Sequence, residues 1–163
     1  MAPALAAVLL GYAAALAYDA AQAPAPATGS GLTAWLAGHH LRYGLGDYWE
    51  ANSVSLASGG AVLIRPVCSA GERFTAYRWE SQASWYDPGR HRADFLVLGP
   101  HPGFSCFGAG YPQAAAAFGR PARAYRVGRD TVLVWDANLL ARVGVPRTGG
   151  PVSPGPPPPA SPR

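Results

Sequence analysis

The chain has 163 residues, of which 49% are hydrophobic and 13% charged, with a net charge of +4. That length holds one domain with a modest core once terminal segments are set aside, and the charge content is about half the ordinary 25% of a free soluble domain. The basic residues are all arginines, scattered and never gathered into a stripe, which argues against a nucleic-acid partner.

Residues 2–18 (APALAAVLLGYAAALAY) carry no charge. As a helix they span roughly 25 Å against the ~30 Å of a hydrocarbon core. Three readings compete: a membrane-anchoring helix, the remnant of a longer transmembrane helix, and the apolar part of a signal peptide. A signal peptide starts with a basic region, and the first basic side chain here is Arg42. Because the stretch has no polar face to offer water, insertion into a membrane is the expected fate, with the bilayer as partner. No flanking Lys or Arg fixes its orientation.

Residues 19–31 (DAAQAPAPATGSG) read as a flexible linker, and 32–143 as the folded domain. Leu32, Trp35, Leu36 and His39 or His40 recur at helical spacing, predicting a short helix over 32–41. Neighbouring positions on a helix point about 100° apart, so His39 and His40 do not form one ligand sphere.

The strongest local signal is residues 41–52, LRYGLGDYWEAN. It predicts a strand over 41–45, a sharp turn at Gly44 and Gly46, and a helix capped by Asp47, with Glu50 at capping-box spacing. In an α/β domain such a strand-to-helix passage is where ligands usually sit.

Residues 61–67 predict a buried strand ending at Pro66. Residues 69–73 read as a loop, and 75–88 as an aromatic-rich loop with a short helix folding its rings over the sheet. Residues 93–99 predict a strand, and 100–110 a loop carrying His101 and Cys106. A short helix follows at 114–118, with Pro112 in its first turn. A hairpin joins 122–127 to 131–136 across Gly128-Arg129-Asp130, and 138–143 adds a helical turn. Residues 144–163 cannot bury anything and read as a disordered, proline-rich tail. The predicted fold is a small three-layer α/β domain with a partly parallel sheet of three to five strands and a C-terminal antiparallel hairpin, preceded by an apolar helix.

Candidate chemistry gathers on the aromatics. Tyr48, Trp49, Trp79, Trp85 and Tyr86 offer flat apolar faces with polar edges, and Asp47, Glu50 and Asp87 can accept hydrogen bonds from hydroxyls. This pattern suits a saccharide or lipid-linked saccharide; aromatic core packing is the competing use of the same rings. Gly44-x-Gly46 is two thirds of a dinucleotide fingerprint, but Trp49 occupies the third glycine position and Asp47 sets negative charge where phosphates need donors. No cofactor is therefore expected. There is no GxSxG, no HExxH and no metal-ligand spacing, and Asp47/Glu50 and Glu80/Asp87 read first as caps and turns, so no catalytic set stands out. Cys68 and Cys106 pair as one disulfide outside the cytoplasm or remain two thiols inside it.

The segments AWLAGHHLRYGLGDYWEANSVSLASGGAVLIRPV, WESQASWYDP, ADFLVLG, FGRPARAYRVGRDTVLVW and NLL together resemble a known domain. It is the C-terminal extracytoplasmic domain of bacterial, actinobacterial-type polytopic membrane proteins related to the GT-C, dolichyl-phosphate-mannose-type glycosyltransferases. The resemblance covers residues 32–140, with YGLGDYW its most specific part. It implies a domain on the outer face of a membrane, with a polytopic membrane protein as possible partner. Those transferases carry catalytic carboxylates in membrane-proximal loops near the chain start, among many spans. This chain offers at most one span, so glycosyl transfer is carried over to none of its residues. The expectation is a detached tail, either a fragment or a separately encoded accessory domain, that binds without catalysing. The alternatives are a secreted carbohydrate-binding module with a cleaved leader and a small independent α/β enzyme.

Overall fold

A computed structural model describes residues 2–22, 29–79, 81–100, 106 and 108–145. The first element, α1 (Ala2–Ala21), is exposed from Pro3 onward. Its apolar stretch, Pro3–Ala21, has a mean hydropathy of 1.6, and its length and composition fit a membrane span and equally a signal sequence. The helix takes in Asp19–Ala21, which composition assigns to the linker: alanine is the best helix former, and no Gly or Pro stands between Gly11 and Pro24.

The domain begins with α2 (Ser30–Gly38) and continues through β1 (Tyr43–Gly46), α3 (Tyr48–Ala57), β2 (Leu63–Ala70) and β3 (Arg73–Ala76). It closes with β4 (Phe95–Leu98), α4 (Tyr111–Phe118), β5 (Arg123–Val127) and β6 (Asp130–Val134). Short 3-10 turns at Ala83–Tyr86 and Leu139–Arg142 complete it. The six strands form one mixed sheet in the order β3-β2-β1-β4-β6-β5. Strands β2, β1 and β4 run parallel, and β3, β5 and β6 join antiparallel.

Alternation along the strands divides the core in two, as a period of two requires. Leu45, Val67, Leu96, Leu98 and Leu133 join Phe118 of α4, Tyr86, Leu139 and Leu140 in one cluster. Ile64, Phe95, Val97 and Val132 join Leu32 and Leu36 of α2 and Ala51 and Val54 of α3 in the other.

Three features differ from expectation, each for a local reason. The sheet has six strands, not three to five, because β3 had been hidden: it is only four residues long and follows β2 through a tight turn at Gly71, whose φ is +59°. Pro66 does not end β2. It ends the parallel pairing with β1, whose register stops at Gly46↔Pro66, and β2 then pairs with β3 from Val67 to Ala70. Proline lacks the N–H that the ladder needs, and the strand changes partner there.

Gly44 and Gly46, read as turn formers, lie buried inside β1 without positive φ. A Cβ on Gly44 would lie 2.4 Å from the Phe95 ring, and one on Gly46 2.9 Å from Ile64 Cγ2. These glycines make room for the second core cluster. Both histidines at the end of α2 are exposed; His39 stacks on Trp35 at 3.8 Å, and His40 takes the left-handed conformation at φ +58°. The expected tail lies outside the described residues except for Gly144 and Val145, and Glu80 and His101 lie outside them too.

Candidate functional site

Strand β1 sits at the middle of the parallel trio, and its two neighbours are reached by connections leaving in opposite senses. The chain passes from β1 through α3 to β2, then returns past β1 to β4. The carboxyl ends of β1 and β4 therefore border a topological switch point, where open α/β sheets leave a crevice.

Asp47 follows β1 immediately and caps α3. Its Oδ1 accepts hydrogen bonds from the backbone N–H of Trp49 at 2.7 Å and of Glu50 at 3.1 Å. Asp47 is 2% exposed and Glu50 8% exposed. Glu50 lies in the first turn of α3 and points to the end of β4: a Cβ on Gly99 would lie 2.2 Å from Glu50 Oε1. A side chain at position 99 would occupy the carboxyl's place, so the glycine is what admits Glu50 to the crevice.

The Glu50 carboxyl is pushed up to about 8. Burial is the main cause, since removal from water penalises the charged form; the hydrogen bond with Asp47 and the negative charges of Asp47 and Asp130 add to it. At neutral pH Glu50 is thus mostly a neutral acid. Its Oε2 is buried without a hydrogen-bond partner, an arrangement that costs about 1–3 kcal/mol in a folded protein.

The Glu50 residue borders a cleft of about 410 Å³ whose lining also includes Gly29, Trp35, Ser53, Pro100 and Arg129. A second, wider cleft shares Pro100 and Arg129 and takes in Asp47, Gly99, Tyr111, Gln113 and Arg126. The disulfide Cys68–Cys106 staples the segment after β4 to β2, and Ser69 N–H donates to the Cys106 carbonyl at 2.9 Å. Gly108 N–H then donates to Ser69 Oγ, which carries the chain back to the wider cleft.

The candidate residues divide into two groups. Asp47, Tyr48, Trp49 and Glu50 come together at the end of β1, where the Tyr48 ring lies 5.3 Å from Trp49 and 5.4 Å from Tyr77. Trp85, Tyr86 and Asp87 are engaged elsewhere. Tyr86 is 1% exposed, belongs to the other core cluster and donates from its hydroxyl to the Pro66 carbonyl. The Trp85 ring is covered by the Arg65 guanidinium at 4.0 Å, and its carbonyl accepts from the Tyr43 hydroxyl. Asp87 accepts from Gly89 N–H and pairs with Arg90 in a turn. Core packing and turn formation thus claim these three.

Reading from sequence missed Gly99, Arg126, Arg129 and Asp130. The run LVLG-Pro was a usable signal, because a glycine directly after a buried parallel strand mirrors the position of Asp47 after β1. Among the described residues no group of three His, Cys, Asp or Glu side chains is placed to hold a metal ion. No protein family matches the chain, and neither a curated protein nor a solved structure is found to be similar to it.

Proposed function

We propose that the chain is a membrane-tethered, extracytoplasmic accessory domain that binds a hydroxyl-bearing ligand, of which a saccharide is the natural kind, at the ends of β1 and β4. The observation that carries this reading is Glu50: a buried, mostly neutral acid whose Oε2 lacks a partner beside a cleft at the switch point. With its proton engaged toward Asp47, the other oxygen acts as a hydrogen-bond acceptor and calls for a donor such as a ligand hydroxyl. Arg129 on the same cleft supplies donors for a ligand oxygen. Trp35, which lines the cleft, adds an aromatic face of the kind that packs on sugar rings. The exposed apolar α1 supports tethering, and the disulfide supports an oxidising compartment outside the cytoplasm.

The test is calorimetric titration of the purified chain in mild detergent with a panel of neutral and anionic oligosaccharides. Binding that weakens at least tenfold in Glu50→Leu, which removes the acceptor oxygen, and in Arg129→Ala, with folding intact by circular dichroism, is the expected result. Unchanged affinity in both variants, or no binding across the panel, overturns the reading. The raised Glu50 acid favours a second reading, an acid–base enzyme with Glu50 as proton donor. Turnover that disappears in Glu50→Gln while ligand affinity persists would select it.

A further inference from the structure

The same end of the domain carries an exposed aromatic edge that neither the fold nor the cleft uses. Trp49 is 53% exposed and Trp79 is 75% exposed, although large apolar rings are what a small core most needs. Tyr48 joins Trp49 to Tyr77, and Tyr77 lies two positions before Trp79. Between them stands Arg78, also exposed.

The path of the chain brings this edge close to α1. Gly29 caps α2, lines the Glu50 cleft and packs against Ser53, whose Oγ would lie 3.3 Å from a Cβ at position 29. Ser53 Oγ in turn donates to the Trp49 carbonyl at 2.7 Å. From Gln22, just past α1, to Gly29 is seven residue steps, which reach at most about 24 Å. A domain of this size has a radius of gyration of about 13 Å and a width greater than that reach. The end bearing Gly29, Trp49 and the cleft is therefore held near α1.

We propose that the edge formed by Tyr48, Trp49, Tyr77 and Trp79 seats in the headgroup layer of the bilayer that holds α1, so that the Glu50 cleft opens onto the membrane surface. This rests on the reading of α1 as a membrane anchor. Tyrosine and tryptophan settle at headgroup depth because the ring is apolar and the O–H or N–H stays wet. Arg78, within the edge, and Arg129, at the cleft, present guanidinium groups suited to lipid phosphates. A cleft so placed receives what the membrane surface carries before what bulk water brings.

The test uses the full chain reconstituted in phosphatidylcholine–phosphatidylglycerol vesicles containing phosphatidylcholine with a nitroxide on its choline headgroup. Tryptophan emission of the wild type is expected to be quenched, and a Trp49→Phe/Trp79→Phe double variant to lose at least half of that quenching. Adding Leu56→Trp to the double variant, about 10 Å further along α3, is expected not to restore it. Equal quenching in wild type and double variant, or recovery with Leu56→Trp, overturns the proposal and leaves the edge to a protein partner or a second copy. Flotation separates the two readings. A chain that fails to float with the vesicles refutes the anchor, whereas one that floats without aromatic quenching refutes only the seating of this edge.

Discussion

Replacing Glu50 by Gln removes an ionisable proton while keeping the length of the side chain and a polar head. In the folded protein the acid titrates at about 8, against 4.5 for an ordinary glutamate. Between these values the folded state holds a proton that the unfolded chain has released. Stability then falls as pH rises, by at most about 1.4 kcal/mol per unit, and the loss levels off above the folded value. Over the window the ceiling is roughly 5 kcal/mol, and relaxation of the site around a charged carboxylate brings the expected loss to on the order of 2–3 kcal/mol. Urea unfolding of both chains from pH 5 to pH 9 measures it. The wild-type curve should drop through the window relative to that of Glu50→Gln, the two lying close at pH 5 and separated by the full amount at pH 9. Groups shared by both chains cancel in the difference. Parallel curves would refute the reasoning, since they would mean that Glu50 gains no protons on folding.

Asp47→Ala should cost about 1–2 kcal/mol through loss of the cap to Trp49 and Glu50 N–H. By removing a like charge and a hydrogen bond, it should also lower the Glu50 titration, read as a shift of the pH-stability window toward acid. Gly99→Ala should destabilise by about 1–3 kcal/mol, because the new methyl group claims the position of the Glu50 carboxyl; thermal melts check this. Reducing the Cys68–Cys106 bridge frees a loop of 38 residues, a loss of up to about 4 kcal/mol by loop-closure entropy. It is read from melts with and without reductant, and an unchanged melting temperature would rule out a stabilising bridge.

What was legible in the sequence was whatever a short window contains. Asp47 as a cap, the strand runs FLVL and DTVLV, and Pro112 opening α4 all follow from propensity and punctuation within a few residues. The mixed α/β sheet with its closing hairpin followed from their order. Strand β3 was not legible, because RFTA is too short to show alternation and its meaning comes from pairing with β2. The site was half legible. Asp47 and Glu50 stand three residues apart in sequence, but Gly99 and Arg129 reach them only through the sheet order. Trp85 and Tyr86 misled for the converse reason: an aromatic next to a turn reads the same whether its ring faces a ligand or the core, and only the Tyr86 hydroxyl on the Pro66 carbonyl decides it. The glycines of β1 were noticed for the wrong property, freedom of the backbone, when it is the absence of a side chain that Phe95 and Ile64 require.

The two borders of the sheet have a consequence for a protein crowded onto a surface. On one side, β3 offers only four residues, and the chain returns to lay Gly144 against it, with Ala76 N–H donating to the Gly144 carbonyl and Gly144 N–H to that of Phe74. On the other, β5 bears the exposed Arg123 and Arg126, whose charges repel their own counterparts on a neighbouring molecule. Neighbours confined to two dimensions meet far more often than molecules free in solution, and ragged sheet margins would let them zip into ribbons. On the proposed reading of α1 as an anchor, copies blunted on one flank and charged on the other resist that pairing.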